Sequence, residues 1–87
     1  MAKVTIPQPM RVYTGDRAVV EIAGSNVRRL IDELENKHPG MKAALTHEGK
    51  LKPDVAIMLN GEISRLALLQ PIAEEDDVIF IPAIMGG

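Results

Sequence analysis

Few side chains in this sequence could carry out a reaction, and they do not form a set. His38 and His47 are the only histidines. His38 falls at the end of a helical pattern, where a cation suits the helix dipole, which is a structural role. His47-Glu48 lacks the further ligands that a zinc site needs. Ser25 reads as a helix cap, and Ser64 has no base near it in sequence. Neither dinucleotide nor P-loop glycine spacing can be matched, and the five methionines read as core filling. With no cysteine there is neither a disulfide framework nor a thiol nucleophile. The expectation is no catalytic residue, no metal and no bound cofactor.

What remains is the pair Gly86-Gly87. Glycine lacks Cβ, so such a backbone can thread a narrow channel and approach another protein's groups closely. From Pro82 to Gly87 an extended chain reaches ~17 Å, enough to deliver a carboxylate into a partner's buried site. A carboxylate is a poor electrophile until it is activated. Adenylation by a partner that uses ATP would turn the Gly87 carboxylate into a mixed anhydride. A sulfur donor could then displace AMP and leave a thiocarboxylate. The sulfur would ride on the terminal carbonyl carbon, so the carrier would need no cysteine of its own.

The elements that must position this tail are legible in the hydrophobic pattern. Lys3 to Ile6 and Met10 to Tyr13 read as one strand interrupted by Pro7 and Pro9, since proline cannot donate to a ladder. Thr14-Gly15-Asp16 is a turn, and Ala18 to Ile22 is a second strand with Val20 and Ile22 on one face. After the Ser25 cap, Val27, Leu30, Ile31 and Leu34 recur at i, i+3, i+4 and i+7, predicting an amphipathic helix. Its polar face offers Arg29/Glu33 and Glu33/Lys37 as i,i+4 pairs, and Pro39-Gly40 ends it. Burying the four stripe residues is worth roughly 6–12 kcal/mol as an upper bound, so the helix needs a sheet to lie on. Residues 40–54 read as a short helical turn, Met41 to Leu45, and then a polar loop.

Val55 to Leu59 is a strand, with Asn60-Gly61 as its hairpin turn. Ile63 to Leu69 reads as a short edge strand followed by a turn at Gln70-Pro71. Glu74-Glu75-Asp76-Asp77 is a solvated turn. The continuous run Val78-Ile79-Phe80-Ile81 predicts a strand covered on both faces, or a central one, rather than a half-exposed edge, with ordered pairing ending near Ile81 because Pro82 follows. The expected fold is α+β, one helix against one sheet. It forms a single domain over residues 1–82, with 83–87 as a flexible tail.

Composition bounds the rest. Eighty-seven residues suffice for one domain. A net charge of −2 without a basic stripe, and only Tyr13 and Phe80 as aromatics, gives no reason to expect nucleic acid. No apolar run approaches the ~20 residues that cross a bilayer, and the N-terminus lacks a secretory signal's apolar stretch. The expected setting is the cytoplasm, away from membranes.

With these pieces in place, the chain resembles the ubiquitin-like sulfur-carrier family over nearly its whole length. The matching residues are Leu30-Ile31-Asp32-Glu33-Leu34, His38-Pro39-Gly40, Leu59-Asn60-Gly61-Glu62 and, most specifically, Asp77 to Gly87. The resemblance implies a β-grasp fold with a mixed sheet of about five strands and one main helix. It further implies Gly87 as the acyl-adenylate and thiocarboxylate site, and Gly86 as its required neighbour. Pro82, Ile84, Met85 and Phe80 are expected to dock on a partner. The partners implied are an adenylating sulfurtransferase enzyme that uses ATP and a sulfur-accepting synthase; a tail-processing metalloprotease is a further one the resemblance allows. Molybdopterin-type tails usually carry two prolines, whereas Pro82 is followed here by Ala83, which is closer to the carrier of a cysteine-synthesis pathway. Cysteine, molybdopterin and thiamine synthesis all stay open as destinations of the sulfur. So do the roles of molybdopterin synthase small subunit and of a protein modifier joined to lysines through Gly87.

Overall fold

Helix α1, Val27–Lys37, buries all four residues of the predicted stripe at 1% exposure or less. The computed structural model describes residues 1–82, so the expected tail at 83–87, with Ile84, Met85, Gly86 and Gly87, lies outside the described residues. The helix lies on a five-stranded sheet built from β1 (Ala2–Thr5), β2 (Val19–Ile22), β5 (Val55–Leu59), β6 (Glu62–Ile63) and β7 (Asp77–Pro82). Their spatial order is β2-β1-β7-β5-β6. β1 runs antiparallel to β2 and parallel to β7, while β5 is antiparallel to both β7 and β6. This mixed sheet with one main helix is the expected β-grasp arrangement.

The core is the layer between helix and sheet. Val4, Ile6, Ile22, Ile57, Val78 and Phe80 meet the α1 stripe there, joined by Met41 and Leu45 from the short helix α2, Met41–Leu45. β7 is central, as the apolar run predicted, and pairs with β1 on one side and β5 on the other.

Several local expectations differ from what forms. Met10 to Tyr13 does not continue the first strand. Gln8–Thr14 is a 3-10 helix, with proline in its first turn and left-handed Gly15 closing it. Proline's fixed φ suits the first turn of a helix as well as it disrupts a ladder, and the helical option wins. The cap of α1 is Asn26 rather than Ser25: the Arg29 N–H donates to Asn26 Oδ1 at 2.9 Å. The Ser25 carbonyl instead accepts from the Ile72 N–H at 2.9 Å, tying the helix start to the chain that leads into β7. Neither Arg29/Glu33 nor Glu33/Lys37 forms an ion pair among the described residues; Asp32 pairs with Lys42 of α2 at 2.8 Å.

Gly40, at φ 108°, makes the bend between the helices, and a Cβ there would collide with the Tyr13 ring. The Glu35 carboxylate accepts from the Gly40 and Lys42 N–H groups, supplying the cap that the start of α2 lacks. The polar loop after α2 contains a small hairpin, β3 (Thr46–His47) and β4 (Lys50–Leu51), turning through left-handed Glu48 and Gly49. β6 is a two-residue edge strand, followed by a 3-10 turn at Ala67–Leu69. Pro82 still lies in register opposite Val55, one residue beyond the expected stop. A proline keeps its carbonyl, so it can close a ladder that it cannot continue.

Candidate functional site

The strand that leads into the Gly86-Gly87 segment is β7, and the sheet grips it along most of its length. β1 accompanies it only from Asp77 to Ile79. From Phe80 onward β5 alone remains alongside, in the register Ile57↔Phe80, Ala56↔Ile81 and Val55↔Pro82. Beside this last stretch lies a recess of about 200 Å³ lined by Pro53, Asp54, Val55, Ala56 and Ile81. The two faces of β7 do different work. Val78 and Phe80 point into the core, while Ile79 and Ile81 are half-buried on the opposite face.

Phe80 is therefore not a docking residue. At 1% exposure its ring is part of the core under α1, and no partner reaches it while the fold is intact. Pro82 is half-buried at the end of the sheet, where a partner can touch it. Ile84 and Met85, the other expected docking residues, lie outside the described residues, as do Gly86 and Gly87.

The register places an unexpected apolar row across the sheet face away from α1. Val19 sits opposite Thr5, Thr5 opposite Ile79, Ile79 opposite Met58, and Met58 opposite Ile63. Ala56 and Ile81 form a second apolar pair on the same face, on the side of Pro82. Val19 and Ile63, at the two ends of the row, are 52% and 56% exposed. On the other side of the row, Glu21, Lys3 and Asp77 form a charged one. A half-covered apolar stripe beside the end of β7 is the kind of surface that partner proteins cover. The sequence contained its signal, because apolar residues occupy both alternations of β5 and β7, yet among the described residues only one helix layer is available to bury them.

At its other end β7 is pinned to the β5–β6 turn. The Asn60 N–H donates to the Asp77 carbonyl at 2.9 Å, and the Asp77 N–H donates to Asn60 Oδ1 at 2.9 Å. Asn60 Nδ2 donates to Asp76 Oδ1 at 3.1 Å, and the Ala73 N–H donates to Asp76 Oδ2 at 2.8 Å. The Ala73 N–H, and after it the Asn60 amide, hold the Asp76 carboxyl below its ordinary value. One member of the acidic turn thus has a structural task.

The other polar candidates stay apart. His38 caps the end of α1, its N–H donating to the Leu34 carbonyl at 2.7 Å. His47 lies on the exposed hairpin, 4.0 Å from Glu48. The Ser64 hydroxyl donates to Gln70 Oε1 at 2.6 Å and accepts from the Leu66 N–H at 3.2 Å, so it fastens its own loop. Lys42, helped by the more distant Arg28 and Arg29, depresses the Asp32 carboxyl. The recess beside that ion pair, about 130 Å³, is smaller than the roughly 300–1,000 Å³ of typical small-molecule sites. Among the described residues no group of three or more His, Asp or Glu side chains could hold a metal ion, and no helix is long and apolar enough to cross a membrane.

Known proteins resemble this chain in both sequence and fold. The model of the ThiS family matches residues 4–87. The sulfur carrier protein CysO of Mycobacterium tuberculosis (strain ATCC 25618 / H37Rv) is 34% identical over 89 residues, spanning 97% of this chain and 96% of that protein. A chain from the crystal structure of the Amycolatopsis orientalis BexX/CysO complex superposes with a TM-score of 0.93 at 34% identity, covering 100% of both chains. SAMP1 from Haloferax volcanii superposes with a TM-score of 0.78, covering 99% of this chain and 98% of that one; at 24% identity this is a likeness of fold.

Proposed function

The chain belongs to the ThiS family, and from that premise we propose that it is a sulfur carrier loaded at the carboxylate of Gly87. The observation that carries this reading is the reach of the family match through residue 87, together with 34% identity to a sulfur carrier over nearly the full length of both proteins. The recipient pathway that the CysO likeness favours is cysteine synthesis.

In the proposed cycle a partner enzyme binds ATP, and this chain holds no cofactor of its own. A Gly87 carboxylate oxygen attacks the α-phosphate and pyrophosphate leaves, giving the acyl adenylate. Sulfide then attacks the acyl carbon, AMP leaves with the bonding pair, a proton is released, and Gly87 ends as a thiocarboxylate for a sulfur-accepting synthase. Gly86, without a Cβ, lets the backbone thread the partner's channel. The apolar row Val19–Ile79–Met58–Ile63 supplies a docking surface, to which Ile84 and Met85 are proposed to add. The fixed end of β7 makes delivery of the carboxylate a matter of position, where ~1 Å can cost 10²-fold.

The test is intact-mass analysis after incubation with the cognate adenylating enzyme, ATP and a sulfide source. The protein should gain the mass difference between sulfur and oxygen, and fragmentation should place it on Gly87. Deleting Gly87, or adding one residue after it, should abolish the gain. Replacing Ile84 and Met85 by serine should weaken binding to the adenylating enzyme without changing the melting temperature. Loading of the extended variant at the original rate would refute the assignment. Gly-Gly remnants on lysines of other proteins, with no thiocarboxylate formed, would favour a protein modifier instead.

A further inference from the structure

The β5–β6 turn carries a reactive pair that sulfur carriage does not use. In an Asn-Gly pair the following backbone nitrogen can attack the asparagine side-chain amide carbon, because glycine presents no Cβ to obstruct the ring. The new bond joins Gly61 N to Asn60 Cγ, the bond from Cγ to the amide nitrogen breaks, and ammonia leaves with a proton. Water then opens the cyclic imide at either carbonyl, leaving an aspartyl or an isoaspartyl residue. The surroundings of Gly61 are open, since apart from its chain neighbours none of the described residues would come within 4 Å of a Cβ placed there.

Against that reactivity stands the clamp on the Asn60 side chain. Its Oδ1 accepts from the Asp77 N–H at 2.9 Å, and its Nδ2 donates to Asp76 Oδ1 at 3.1 Å. Asp76 is itself fixed by the Ala73 N–H at 2.8 Å. With both amide atoms held, the side chain has less freedom to bring Cγ onto the Gly61 nitrogen. We propose that Asn60 is a latent deamidation site, and that Asp76 is the residue that keeps it closed.

Opening the site has a definite structural consequence. An aspartate at position 60 loses the donor to Asp76 and sets two carboxylates at hydrogen-bond distance. An isoaspartate adds a main-chain carbon to the two-residue turn that fixes the registers Met58↔Ile63 and Leu59↔Glu62. β6 is only two residues long, so that change removes Ile63 from the outer apolar row. Modification at Asn60 would therefore mark aged copies of the chain by altering one end of that face.

The experiment compares the full-length protein, its Asp76→Ala and Asp76→Asn variants, and a free peptide spanning residues 56–65, all incubated at mildly alkaline pH. Peptide mapping reads aspartate and isoaspartate at position 60, and circular dichroism checks that each variant is folded. The peptide should react fastest and the intact protein slowest. Asp76→Ala should react roughly tenfold faster than the intact protein, the shift expected on losing a hydrogen bond to a charged group. Asp76→Asn keeps one acceptor oxygen for two donors and should fall between them; it decides the matter if the alanine variant does not fold. Equal rates in peptide and intact protein, or a folded Asp76 variant reacting no faster than the original, would overturn the proposal.

Discussion

Truncating Phe80 to alanine probes the central strand that precedes the Gly86-Gly87 segment. Phe80 is 1% exposed, lies on the central strand, and faces the core from the register position opposite Ile57. Removing its ring takes away the transfer free energy of a fully buried aromatic and leaves a cavity beneath α1 that a backbone held in register by β5, just past its last pairing with β1, cannot readily collapse to fill. Phe→Ala changes of this kind cost about 3–5 kcal/mol. At ~0.05–0.15 kcal/mol per residue the whole chain is stable by about 4–13 kcal/mol, so the substitution removes roughly a fifth of that at the very least. For a domain of this size each kcal/mol shifts the melting temperature by roughly 4–8 °C, which predicts a drop of about 12 °C or more. Urea denaturation is the assay, with the midpoint falling and the slope unchanged if the variant still folds to the same state. Ile79→Ala, on the half-covered outer face, should cost clearly less. A loss under about 1 kcal/mol for Phe80→Ala would mean that the ring is not a core element and that the inward and outward faces of β7 are wrongly assigned.

Two further outcomes follow from the described contacts. Asn26→Ala should destabilise by about 1 kcal/mol through loss of the α1 cap, while Ser25→Ala should stay within about 0.5 kcal/mol; equal effects in chemical denaturation would contradict the capping geometry. Asp76 has a folded-state pKa below its ordinary 3.8, so the stability it contributes is fully present above that value and is lost as pH falls through the lower folded one. Acid titration of Asp76→Asn should accordingly show a shallower stability loss below pH 3.8 than the original protein, and superimposable acid limbs would show that the clamp does not stabilise the folded state.

The parts of this fold that the sequence announced are those where one local rule dominates. The α1 stripe repeats at helical spacing, Asn60-Gly61 fits only a tight left-handed turn, and Val78 to Ile81 is too apolar to sit at an edge. Each appears at the expected positions. Where two rules compete, the sequence alone picked the wrong one. Pro7 and Pro9 are compatible with a broken strand or with the first turn of a 3-10 helix, and tertiary packing of Met10 and Thr14 favours the helix. Ser25 and Asn26 are both good caps, and the choice follows from the Ser25 carbonyl being engaged by Ile72, a residue forty-seven positions away. Arg29, Glu33 and Lys37 have the right spacing to pair, but an exposed i,i+4 pair is worth only ~0.3–0.5 kcal/mol, too little to hold long side chains in place.

The outer face of the sheet was hidden for a different reason. A continuous apolar run on a central strand is read as burial on both sides, and for β7 only half of that holds. Val78 and Phe80 are covered by α1, whereas Ile79 and Ile81 face a side that no second layer of this chain covers among the described residues. The excess of apolar residues on β5 and β7 is more than this fold uses for its own core. Thr5 is the one polar member of the row that runs from Val19 to Ile63, and the row crosses all five strands beside the last residues of β7. A surface held rigid by the same ladders that fix Pro82 can set the distance between a docked partner and the chain leaving the sheet. In the proposed carrier cycle, binding energy gathered on that face would become positional accuracy at the reacting carboxylate.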